Sequence, residues 1–152
     1  MIFFGYRRRE IIEAQKKKEE ERRAAGGIAA PADAADKLEG VVTKAFDAWQ
    51  KTMKELGLTL ADITLLEIER TEEDLIAGVR RFPKKWKRKK GFVIGDAAQK
   101  ELNELIFRAF DYISAVISEC DKTADTRTKI LLGRCETSIA NEFEELIFEW
   151  AG

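Results

Sequence analysis

The chain has 152 residues, with 45% hydrophobic residues, 10 Gly and 2 Pro; this is about one domain's length, enough to close a core without metal or disulfide, and a balance that belongs to a folded, helix-rich chain. Its formal net charge of -1, from 27 Lys and Arg against 28 Asp and Glu, hides a strong local imbalance. Histidine is absent, which excludes Ser-His-Asp and Cys-His catalysis, Glu-x-x-His metal centres and imidazole switching near neutral pH.

Residues 1–6, Met-Ile-Phe-Phe-Gly-Tyr, are apolar, and Arg7, Arg8 and Arg9 follow them instead of preceding them, the wrong order for a signal peptide. From Arg7 to Arg23 basic and acidic blocks alternate, with Glu13 four residues before Lys17 and Glu19 four before Arg23, pairs that favour an exposed helix. Only Ile11, Ile12 and Ala14 are apolar in it, so this helix is expected to project as an arm instead of joining a core. Ala24 to Ala35, with Gly26, Gly27 and Pro31, reads as a linker. An arm over residues 1–27 and a bundle over 28–152 follow from that division.

Between Asp36 and Leu56 the apolar residues Leu38, Val41, Val42, Ala45, Phe46, Trp49, Met53 and Leu56 alternate spacings of three and four, the signature of an amphipathic helix that Gly57 stops. Residues 59–70 suit a helix opened by Thr59 and Asp62 or a short strand, and helix is favoured. Thr71 to Asp74 resembles a second capping box, followed by Leu75, Val79 and Phe82 on one face, and Pro83 is expected to end that helix. After a basic segment, Gly95 and Asp96 mark a turn and cap, and a stripe runs from Ala98 through Leu102, Ile106, Phe110 and Ile113 to Val116. A break at 121–125 precedes a last helix with Leu131, Leu132, Cys135, Ile139, Phe143, Leu146 and Trp150 inward. The expected fold is an all-α antiparallel helical bundle with a projecting charged N-terminal arm.

The sharpest chemical feature is the basic corner at 80–91. Arg80, Arg81, Lys84, Lys85, Lys87, Arg88, Lys89 and Lys90 supply 8 cations with no acid among residues 80–90, interleaved with Phe82 and Trp86. Such a run suits successive phosphates, with the Trp86 indole either stacked on an unpaired base or turned into the core; the alternative is a solvated loop. Ile2, Phe3, Phe4 and Tyr6 have no helix face of their own to hide on and, with Arg7, Arg8 and Arg9, form a candidate surface for a protein partner or neighbouring subunit. Glu101, Glu104, Glu144 and Glu145 resemble a carboxylate metal site only superficially, and Cys120 and Cys135 read as inert thiols in a reducing cytoplasm. No apolar run approaches the roughly 20 residues of a membrane span.

The stretch from Leu75 to Leu146 resembles the four-helix-bundle family of 23S rRNA intervening-sequence proteins and accessory variability proteins of diversity-generating retroelements. The likeness is carried by Phe82-Pro83-Lys84-Lys85 as a corner after a helix, Gly95, the helix 98–109 ending Leu105-Ile106-Phe107-Arg108-Ala109, and a last helix with Lys129, Leu131 and Leu132. The resemblance implies a homo-oligomeric, pentameric barrel that binds RNA and a reverse transcriptase, with Lys84, Lys85, Lys87, Arg88, Lys89 and Lys90 facing the RNA. The expected function is a non-catalytic bundle without cofactor or metal that binds nucleic acid, RNA more than DNA, inside a larger complex. The alternative is a structural assembly subunit, such as a phage virion or connector component.

Overall fold

The structure is a computed structural model that describes residues 8–15, 31–88 and 95–151, with the side chains of residues 87, 88, 96 and 151 left aside. The chain is an all-α antiparallel bundle. Residues 8–15 form α1, and α2 (Ala34–Glu55), α3 (Asp62–Arg88), α4 (Asp96–Cys120) and α5 (Thr126–Ala151) form the bundle. The four long helices close as a ring, α2 beside α3, α3 beside α4, α4 beside α5 and α5 beside α2. Their apolar stripes meet on the axis, where Phe46 of α2 and Phe110 of α4 bring their ring centroids to 5.6 Å across the diagonal. Around that pair lie Leu38, Ile68, Leu75, Leu102, Ile139 and Ile147, all fully buried. Removing either ring would cost about 3–5 kcal/mol, because the cavity could not collapse without moving two helices.

The α2 stop is a Schellman cap. Gly57 takes φ of 67°, and the Leu58 N–H reaches the Met53 carbonyl at 2.9 Å while the Gly57 N–H reaches Lys54 at 3.1 Å. The start of α3 is capped from the neighbouring helix: Asp121, just after α4, accepts the Ala61 N–H at 3.0 Å and the Thr64 hydroxyl. That carboxylate replaces the local cap expected from Thr59 and Asp62, and it faces the positive end of the α3 dipole.

Three sequence expectations are corrected. Residues 62–88 are one helix, not two, because Thr64, Ile68, Thr71, Leu75, Val79 and Trp86 continue one buried face without a change of phase. The Thr71 hydroxyl donates to the Glu67 carbonyl at 2.7 Å within the helix and caps nothing. Pro83 does not end the helix. It is buried inside α3, and the following turn is held by tertiary contacts, with the Trp86 indole N–H donating to Glu101 at 3.2 Å and Lys85 pairing with the same carboxylate at 3.6 Å. The basic segment up to Arg88 is therefore helix, and Phe82 to Lys85 form no corner.

The third correction concerns the arm. Residues 8–15 do not project; they lie over the seam between α4 and α5, with Ile11 buried in the core. The Arg8 guanidinium forks onto both Glu136 oxygens at 3.1 Å, and its Nη2 also reaches Asp111 at 2.7 Å and the Phe107 carbonyl at 3.0 Å. Gln15 and Asn103 exchange amide hydrogen bonds. Arg8 opposite residues 107 and 111, and Gln15 opposite 103, make α1 antiparallel to α4. A narrow apolar face suffices because charge pairing adds to it.

Candidate nucleic-acid interface

The last turns of α3 carry the basic residues on three sides of one helix. Val79, Pro83 and Trp86 face inward, which leaves Arg80, Arg81, Lys84 and Lys85 outward. Arg81 and Lys84, three residues apart, are both exposed and adjoin one another on the helix surface. Arg80 is engaged by α2, pairing with Asp36 at 2.8 Å and Glu39 at 3.3 Å. The hydrogen bond to Asp36 is the main reason that its guanidinium holds its proton more tightly than usual. Lys85, paired with Glu101, also lies 5.7 Å over the Phe82 ring.

Trp86 is not a base-stacking platform. Only 3% of it is exposed, and its ring stacks on Phe82 with centroids 5.7 Å apart and an interplanar angle of 14°. Its job is to pin the end of α3 to α4. The helical positions of Lys87 and Arg88 continue the basic strip, while Lys89 and Lys90 lie outside the described residues. Positive charge at a helix C-terminus is also favoured by the dipole.

Of the residues assigned to partner binding, Ile2, Phe3, Phe4, Tyr6 and Arg7 lie outside the described residues, and Arg9 is exposed. Arg8 is corrected: it binds within its own chain, on Glu136, Asp111 and Phe107. Glu136 carries a signal in the sequence, since it occupies the apolar stripe of α5 between Leu132 and Ile139. Burial pushes its carboxyl above the usual carboxylate range, and the bonds from Arg8 offset only part of that. On the Arg8 side desolvation is outweighed by hydrogen bonds to Glu136 and Asp111, which hold the guanidinium charged.

Glu101 is occupied by Trp86 and Lys85, and among the described residues no group of three potential metal-ligating side chains converges. Burial pushes the Cys135 thiol far up, which keeps it un-ionised, and Cys120 is exposed at the end of α4. None of the described helices is long and apolar enough to cross a membrane.

Among the described residues, concavities open on two flanks. One of about 360 Å³ between α3 and α4 is rimmed by Arg70, Asp74, Arg108 and Tyr112, whose hydroxyl donates to Glu67 at 2.6 Å. The other, of about 690 Å³, lies between the C-terminal half of α2 and the N-terminal half of α3. Its wall includes Trp49, Met53, Leu58, Leu60 and Leu65, with Glu69 and Glu72 beside them. Periodicity did not announce either groove, since both depend on how far neighbouring helices stand apart.

Comparison with protein-family models, curated proteins and solved structures finds no match to this chain.

Proposed function

We propose that this chain is a non-catalytic helical-bundle subunit that binds nucleic acid, RNA in preference to DNA, through the basic C-terminal end of α3. The observation that supports it is the continuity of α3 through Pro83, which puts Arg81 and Lys84 on a rigid, exposed strip anchored from beneath by Trp86. Cations fixed on a helix meet phosphates without first losing the entropy of an ordered loop. The sequence resemblance favours RNA over DNA and an accessory place beside a reverse transcriptase in a cytoplasmic complex.

The test is a salt titration of the full chain on labelled single-stranded RNA. Each phosphate neutralised on a single strand contributes roughly -0.7 to the log-log slope. Replacing Arg81 and Lys84 together by Glu should therefore flatten the slope by about 1.4 or more and weaken binding at every sequence. The melting temperature should hold, since exposed charges contribute little to folding. Absence of binding at low salt overturns the reading, and equal affinity for duplex DNA overturns the preference for RNA.

A second reading, a structural assembly subunit such as a virion or connector component, is favoured by one observation. Leu56, Ile63 and Leu66 are close to half exposed near the same end of the bundle, where large apolar side chains are suited to covering by another subunit.

A further inference from the structure

We propose that the groove between α2 and α3 receives the N-terminal segment of a second copy of this chain, residues 2–7, with Arg9 at its rim. This inference is independent of nucleic-acid binding and gives the assembly reading a specific joint.

The groove complements the segment, apolar along its floor and, apart from Lys54, acidic along its edge. Trp49, Met53, Leu58, Leu60 and Leu65 offer an apolar floor, and Leu65 is 45% exposed there. Glu69 and Glu72 stand beside it, with Asp47 and Glu73 close enough to act on Glu72. The segment reads Ile2-Phe3-Phe4-Gly5-Tyr6-Arg7-Arg8-Arg9, four large apolar side chains followed by arginines. Apolar residues in the groove and Arg7 and Arg9 on its acidic edge would bury surface that otherwise costs free energy in water and would pair like with unlike charge.

Geometry selects a second copy over the chain's own segment. Arg8 is fixed on α4 and α5 by Asp111 and Glu136, and the α2–α3 groove is on the opposite side of the ring of helices. Six residues fully extended reach about 20 Å. Two helix layers are already roughly 20 Å thick, before any path round the flank. Ile2 therefore falls short of its own groove, whereas α1 docked on its own bundle holds the segment at the edge for a neighbour. A segment of one copy in a groove of the next is a heterologous contact, which closes into a ring or runs on as a filament.

The test uses two full-length variants. F3D/F4D spoils the segment and keeps the groove; L65K spoils the groove and keeps the segment, at an exposed helical position that accepts Lys. Each alone should lose assembly by at least about 100-fold in concentration, as read by light scattering, since two buried Phe rings or their apolar contact are lost. The helical melts should remain those of the parent. Mixed together, the two variants should form a one-to-one heterodimer and stop there, because only one segment and one groove survive between them. If L65K does not fold, E69K on the groove edge takes its place in the mixture. A parent chain that stays monomeric at high micromolar concentration overturns both this inference and the assembly reading. Assembly that persists in L65K or E69K, or a mixture that fails to pair, overturns the inference and leaves assembly through another surface.

Discussion

Glu136 has 1% of its side chain exposed, and Arg8 reaches it from a helix more than a hundred residues earlier in the chain. Taking a carboxylate out of water costs several kcal/mol, which a bidentate guanidinium can return. Arg8→Ala should therefore cost about 3 kcal/mol or more at neutral pH, far beyond the effect of an exposed charge, and Glu136→Gln in the same chain should recover much of it. The pH dependence has a definite sign. A carboxyl held above its ordinary value favours its protonated form in the fold, so folding stability from this group is full below the ordinary range and is lost as pH rises through the raised value. Without Arg8 that value rises further. The Arg8→Ala deficit should thus be small near pH 4 and grow toward neutrality in urea denaturation, and an equal deficit at both ends would mean that Arg8 acts by packing alone.

At the scale of an element, α3 shows local rules overruled by the core. Pro83 removes the hydrogen bond to the Val79 carbonyl and crowds that turn, a cost of about 3 kcal/mol relative to Ala in a helix interior. The helix nevertheless continues for another turn because Trp86 is buried and bonded to Glu101. Pro83→Ala should raise stability by on the order of 1 kcal/mol, the helix gain being reduced by the packing that the buried ring loses. A thermal melt decides it, and a lower midpoint would show that the ring's contacts outweigh the restored backbone bond. Without its anchor the strip should fray instead, and the loss of Trp86 contacts would spread to Arg81 and Lys84.

For the whole molecule, the docking of α1 makes residues 8–15 part of the fold instead of a projecting arm. A chain beginning at Ile28 loses Ile11 from the core and leaves Glu136 without Arg8. It should melt lower, by several degrees or more for a loss of this kind in a chain of about 150 residues. Adding Glu136→Gln should return part of that loss, because the charge penalty goes and the exposed apolar seam stays. Circular dichroism on the two truncated chains measures both. An unchanged melt after truncation would show that α1 contributes nothing to the fold.

The apolar spacing of α2, α4 and α5, the Gly57 stop and the break at 121–125 were legible in the sequence because each depends on local periodicity and backbone sterics. The all-α bundle followed from the same stripes, which can be buried only against one another. Three features were decided by tertiary structure. Thr71 and Pro83 carry local signals of a helix start and stop, and burial of Leu75, Val79 and Trp86 on one continuous face outweighs both. Residues 8–15 are too charged to suggest a core face, and only the placement of Glu136 and Asp111 on adjoining helices turns that charge into adhesion. The cations at 80–90 could be read from composition, but which remain outward could not. Asp36, Glu39 and Glu101 reach Arg80 and Lys85 from other helices, and distance in space, unlike spacing along a chain, is settled only when the helices pack.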